Sequence, residues 1–312
     1  MCAQPHVLGV RWSDGHLFVI EPKGFQQGMG GRAMKTMQEY LPSGKRLTTD
    51  ASPVLWKVSD AAIGPKFDAA GNIYISEAVR PKGWHYPPEI QKHLDSKGFK
   101  GVHDSYIKLY GSIVKFSPKG GMIDFPKGGK GGEWWQGPDP FEGQPTLAPE
   151  LKTTEVECYG WGQVRGPIKV TGAEWIHPGM GNAGTLMFMC NCENPTFDVD
   201  EFGRTFFPDM PLFRVRVIDT AGNAITHFGG YGNPENCGPD SPVVDPKTGQ
   251  VRARQADDPK DLKSPFADPE IALAHPASVG ATDKYVYIGD AGNRRLLRAR
   301  LVYAAEESCE IK

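Results

Sequence analysis

Apolar and polar residues alternate with period two along much of the chain, and the alternating runs come in pairs. Four segments align on a turn: "VRWSDGHLFVIE", "KFDAAGNIYISE", "TFDVDEFGRTFFPD" and "SVGATDKYVYIGD". In each, a short alternating run enters a polar turn centred on Gly15, Gly71, Gly203 or Lys284, and a second alternating run leaves it. Period-two patterning on both sides of an Asp/Gly/Asn turn predicts a β-hairpin. Six residues beyond each turn centre stands an acid: Glu21, Glu77, Asp209 and Asp290. "GSIVKFSPKGGMIDF" and "FRVRVIDTAGNAITHFG" predict two further strand pairs, and "SPVLWKVS" and "RRLLRARLVY" two single outer strands. Hairpin following hairpin builds a four-stranded blade. The pattern therefore predicts an all-β protein, a β-propeller of four-stranded antiparallel blades with long loop insertions and little helix. Gly71, Gly203 and Gly222 are expected in turns with positive φ, where a side chain is penalised.

"HPASVGATDKYVYIGDAGNRRLLRARL" resembles an NHL repeat, with an opening Pro276, a paired hairpin and then Asp290, Asn293 and Arg295. "GPKFDAAGNIYISEA" and "NPTFDVDEFGRTFFPD" are similar to the opening halves of that unit. From about Cys190 onward the chain is similar to the C-terminal part of long NHL-repeat proteins of planctomycete-like bacteria. The resemblance implies a propeller fold. It also implies a structural role for Asp290, Asn293 and Arg295, tying a turn to its neighbour. It leaves function open, since such propellers host lyases, lactonases and pure binding scaffolds.

The turn centres lie 56, 132 and 81 residues apart, whereas a blade takes about 40–50 residues. A single domain over 1–312 is expected, with insertions at about 22–52, 79–110, 126–155 and 230–270. The second of these has room for a short helix. "GPIKVTGAEWIHPGMGNAGTLMFMCN" is a candidate divergent blade, with a turn at Gly184 and Cys190 in the acid's place. A strand that starts within a few residues of Met1 suggests a C-terminal portion of a longer chain or assembly.

Composition narrows the classes. The chain has 312 residues, 39% of them hydrophobic, and a net charge of -2, which suits a folded globular protein. Gly 38 and Pro 27, spread without a period, suit a turn-rich β protein. No apolar run reaches the roughly 18 residues that span a bilayer, and no basic-then-apolar leader is present. Basic residues form no stripe, so nucleic acid is not an expected partner. No Gly-x-Ser-x-Gly elbow or phosphate loop occurs.

Strand entry and exit at one face would gather Glu21, Glu77, Asp209, Asp290 and Cys190 with Pro65, Pro195 and His275 around a channel mouth. His177 in "EWIHPGMG" and His275 in "LAHPAS" share a His-Pro dipeptide. The candidate ligand or metal rim is thus His177, His275, Glu77, Asp209 and Asp290. A zinc site needs a third ligand beside two histidines. The propeller lyases place a histidine directly after the opening proline, and here Lys66, Thr196 and Ala277 stand there. The lactonases imply a glutamate where Ile63 stands. Asp198, Asp200, Gly203 and Asp209 match positions of a calcium loop, but Phe202 falls where oxygen is required, which favours a hairpin.

Cys190 and Cys192 are too close in sequence to bond each other favourably. Disulfides to Cys158, Cys237 or Cys309 are expected instead, and these imply a periplasmic or secreted location. Trp134 and Trp135, with Trp84, Trp161 and Trp175, are candidates for a carbohydrate or peptide groove. The expected function is a non-catalytic binding or scaffolding propeller that needs no cofactor and takes a protein partner or a small or carbohydrate ligand. The alternative is a metal-dependent lyase or lactonase-like enzyme holding zinc or calcium at the rim.

Overall fold

The computed structural model describes residues 7–23, 34–58, 62–84, 86–98, 110–124, 147–160, 163–181, 195–233, 242–259, 262 and 269–302. Strand accounts for 53% and helix for 6% of them, so the chain is all-β as its alternation predicts.

Four strands, β1 (Val7–Arg11), β2 (His16–Lys23), β3 (Met34–Tyr40) and β4 (Leu55–Val58), follow one another in antiparallel order. β5 (Ile63–Phe67) and β6 (Ile73–Glu77) form the next hairpin. Then come β7 (Val79–Pro81), α1 (Pro88–Ser96), β8 (Tyr110–Phe116) and β9 (Gly121–Asp124). Three long strands follow: β10 (Thr153–Gly160), β11 (Gln163–Thr171) and β12 (Ala173–Gly181). β13 (Asp198–Val199), β14 (Thr205–Asp209), β15 (Arg214–Ile218) and β16 (Ala224–Phe228) make a four-stranded meander, with a 3-10 turn at Met210–Leu212. β17 (Gly230–Tyr231), β18 (Val243–Val244), β19 (Val251–Arg252) and β20 (Ala272–Leu273) are two-residue strands. The last sheet is β21 (Pro276–Ala281), β22 (Tyr285–Asp290) and β23 (Arg295–Arg300).

All four aligned hairpins form. Their turns close for a reason visible in the residues. At β5–β6, Asp68 Oδ1 accepts the N–H groups of Ala70 and Asn72 at 3.0 and 2.9 Å, and Gly71 takes φ 78°. Asp219 accepts those of Ala221 and Asn223 in the same way, with Gly222 at φ 83°. Asp200 accepts from Phe202 and Arg204, with Gly203 at φ 74°. An aspartate that bonds the backbone two and four residues on, followed by a glycine in the left-handed region, specifies a tight turn. "DVDEFGRTFFPD" is accordingly a hairpin.

Two pairings differ from the pattern. β8 and β9 do not pair with each other. β8 joins β6 and β12, while β9 enters between β4 and β11. Gly120 and Gly121 are there for close approach: a Cβ on Gly120 would stand 1.8 Å from the Val54 carbonyl oxygen, and one on Gly121 2.2 Å from that of Thr171. β4, expected as an outer strand, is therefore interior. The first sheet runs on as β1-β2-β3-β4-β9-β11-β10-β7 rather than stopping after four strands. Likewise β11 and β12 flank Gly172 yet belong to different sheets. The turn expected at Gly184 lies outside the described residues.

One apolar cluster, including Phe18, Ile20, Leu55, Ile75, Val114 and Ile168, binds the first sheet to the second. A second cluster, with Tyr74, Ile113, Met180, Phe197, Phe207 and Ile218, joins the second sheet to the meander. A third packs the meander on the last sheet through Phe206, Val215, Leu273 and Ile288. The opening strands β1, β5, β13 and β21 line one cavity of about 820 Å3. Gly9 lies hard against the Pro65 carbonyl, Lys66 pairs with Asp198 at 2.9 Å, and Asp198 accepts the Ala281 N–H at 2.9 Å. No described helix is long and apolar enough to cross a membrane.

Candidate functional site

β15 carries "RVRVI", and its alternation sends Val215 and Val217 into the core while Arg214 and Arg216 share the opposite face. The start of α1, β12 and β16 close over that face around a cavity of about 490 Å3. Trp84, Pro87 and Pro88 form one wall, with Ala224 and Ile225 on another. Glu89, His177, Arg214 and Arg216, with Thr226 and His227 on β16, supply the polar side chains. Trp84 is fixed edge-on to Tyr110, ring centroids 5.6 Å apart.

The two arginines are held differently. Arg214 donates to Asp209 at 3.1 Å and to Glu89 at 2.8 Å, so both of its carboxylate partners are in place. Its hydrogen bonds to Glu89 hold that carboxyl below the usual range, against a partial burial that raises it. Asp209 is fully buried, and burial pushes its pKa up in spite of Arg214 and Arg216. Tyr110 donates to Asp209 at 3.4 Å. Arg216 makes one hydrogen bond among the described residues, a long 3.3 Å contact to the Pro178 carbonyl, and lies over the Phe207 ring at 5.5 Å. No described carboxylate forms an ion pair with it. Burial lowers its pKa, but a guanidinium stays charged at neutral pH. The result is a half-buried cation with unused donors facing a cavity.

His177 stands beside it, its ring edge-on to Phe207 at 5.7 Å. Nδ1 lies 2.8 Å from the Gly222 carbonyl oxygen. A carbonyl only accepts, so Nδ1 carries the proton and Nε2 presents a lone pair. Nε2 is covered and has no hydrogen-bond partner among the described residues. Burial, assisted by the Arg216 charge, pushes the imidazole pKa down to about 4.

Of the expected rim, the structure brings His177 and Asp209 to this cluster and leaves the rest elsewhere. Asp290 is buried in the last sheet's exit turn, where it accepts the N–H groups of Ala274 and His275 at 3.1 and 2.9 Å and the Asn293 side chain at 2.6 Å. Burial raises its carboxyl, but those bonds outweigh it and the net shift is downward. Glu77 is buried at the end of β6 and accepts the Ala78 N–H at 2.7 Å. Glu21 accepts from the Tyr40 hydroxyl. Among the described residues, one group of three potential ligands converges, Asp14, His16 and Glu39, none of them in the expected rim. The Arg11 guanidinium already lies within 2.6 Å of Asp14 and 2.7 Å of Glu39, supplying the positive charge a metal would bring.

Trp84 lines the cavity, whereas Trp175 donates to Thr220 O at 2.9 Å and packs on Tyr74. Trp134, Trp135 and Trp161 lie outside the described residues, as do Cys190, Cys192, Cys237 and Cys309. Cys158 is buried in the first core cluster. Sequence reading missed Arg214, Arg216 and Glu89. The available signal was two arginines spaced by two on a predicted strand.

No family model matches the chain, and no curated protein matches it. Among solved structures it is similar to an auxiliary nutrient binding protein from Bacteroides ovatus, with 13% identity, TM-score 0.28, and coverage of 95% of this chain and 59% of that one. A streptogramin B lyase gives 13% identity, TM-score 0.26, and coverage of 97% and 84%. A gluconolactonase from Xanthomonas campestris gives 10% identity, TM-score 0.23, and coverage of 91% and 82%. The chain thus spans 59% of the length of the first of these. Likeness at this level assigns neither fold nor activity.

Proposed function

We propose that this chain is a non-catalytic binding module whose cavity between α1 and β15 takes a small carboxylate. The observation that carries the reading is Arg216, a half-buried guanidinium lining the cavity with one long carbonyl bond and no described carboxylate partner. Asp209 and Glu89 act on Arg216 only through space and leave its donors unfilled; a half-buried guanidinium in that state is costly, and a bound anion that accepts two parallel N–H bonds offsets the cost. Arg214 cannot take the same role while Asp209 and Glu89 hold it. The proposed scaffold is a propeller, a reading supported by the four opening strands lining one cavity. The proposed setting is extracytoplasmic, with Cys190 or Cys192 bonded to Cys158, Cys237 or Cys309.

Calorimetric titration of the full chain with phenylacetate tests the site. Binding should weaken at least tenfold in Arg216→Ala and fall as salt is raised. Equal binding by the wild type and Arg216→Ala would remove the proposal's basis. Thiol counting on unreduced, denatured protein tests the staple: fewer than six free thiols are expected, and six would exclude it.

A further inference from the structure

The ligand's chemistry can be narrowed further on the basis of that anion reading. Arg216 offers hydrogen-bond donors only and calls for an acceptor. His177, beside it on the same cavity, offers the opposite: with Nδ1–H committed to Gly222, its Nε2 is an acceptor with no described partner. A buried acceptor left unmade is destabilising, so it marks a position for a donor. A simple carboxylate satisfies Arg216 and leaves Nε2 as it was. A carboxylate with a hydroxyl on the neighbouring carbon satisfies both.

We propose that the cavity selects 2-hydroxy carboxylates, the carboxylate taken by Arg216 and the hydroxyl donating to His177 Nε2. Nε2 is covered, so the wall has to shift for the hydroxyl to reach it. Arg216 is loosely tethered, because its 3.3 Å contact to Pro178 lies beyond good hydrogen-bond length. Turning the guanidinium from Pro178 onto the carboxylate is the movement required. Gly179 is built for the present seat of Arg216, since a Cβ there would stand 2.3 Å from Nη1. Trp84 and Ile225 line the same cavity and present apolar surface to the remainder of the ligand.

Mandelate and phenylacetate share ring and carboxylate and differ by the one hydroxyl, so their ratio reads the Nε2 contact. The wild-type chain should bind one enantiomer of mandelate at least tenfold more tightly than phenylacetate, because a site with a buried acceptor discriminates against a ligand that leaves it unpaired. In His177→Asn the amide retains a donor for Gly222 and loses the acceptor at the Nε2 position. There the ratio should collapse to about one. Equal wild-type affinities for both acids, each lost in Arg216→Ala, would overturn the hydroxyl inference and leave the anion site standing. A tenfold preference that survives in His177→Asn would also overturn it, by placing the hydroxyl elsewhere. Failure of both acids to bind would overturn the anion reading and this inference together.

Discussion

Asp209 and Asp290 occupy the same place in their sheets, yet one belongs to a cavity and the other to a closed knot. Each ends the second strand of a hairpin, and each is register-paired with an arginine five residues on, Arg214 or Arg295. The Asp290 turn satisfies itself: Ala274, His275, Asn293 and Arg295 all donate to one carboxylate, and Arg295 also donates to the Ala272 carbonyl. The Asp209 turn does not. Two residues beyond the paired arginine, on the same face, β15 has Arg216 where β23 has Leu297. One strand therefore carries a second guanidinium that Asp209 and Glu89 reach only through space, its donors left over, and α1 folds over that strand to make a cavity. A repeated motif is structural where its donors and acceptors balance, and a surplus at one copy points to a ligand.

The largest effect should come from removing the carboxylates themselves. Asp209→Ala leaves Arg214 without its buried partner and should cost about 3–5 kcal/mol in urea unfolding. Asp290→Ala should cost less, about 1–3 kcal/mol, because Arg295 is partly exposed and water can replace the lost partner. A larger loss at Asp290 would invert the contrast.

Acid should come next. His177 has a depressed pKa in the folded chain, about 4 against an ordinary 6.5. Unfolded chains bind the proton first, so the stability from neutral His177 is full above pH 6.5 and is lost as pH falls towards 4. The loss is about 3 kcal/mol at 1.36 kcal/mol per pH unit. His177→Asn should flatten that part of the pH–stability curve relative to the wild type. Parallel curves would mean that His177 titrates as a solvated imidazole.

A pair of glycines separates stability from binding. Gly179→Ala should evict the Arg216 end from its seat on Pro178 and cost about 1 kcal/mol from its φ of 107°, while tightening carboxylate binding, because the guanidinium no longer has to leave that seat. Gly292→Ala presses on Ala274 and the His275 nitrogen, so it should lower the melting temperature and leave binding unchanged.

The hairpins were legible because each is specified within about a dozen residues, by alternation and an aspartate–glycine turn such as Asp68–Gly71. The separation of β8 from β9 was not, because Gly120 and Gly121 read as a hairpin turn. Their use, close approach to Val54 and Thr171, depends on partners far along the chain. At the site, the acids and the His-Pro dipeptides drew attention by repeating. Arg216 repeats nothing, and its importance arises only when α1, from an insertion more than a hundred residues earlier, closes the cavity.

The unfilled donors of Arg216 can be read directly from arginine side-chain 15Nε–Hε resonances during a carboxylate titration. On adding phenylacetate to the full chain, the Arg216 signal, assigned by its loss in Arg216→Lys, should shift and saturate while that of Arg295 stays in place. Unmoved Arg216, or equal shifts at both arginines, would contradict the account.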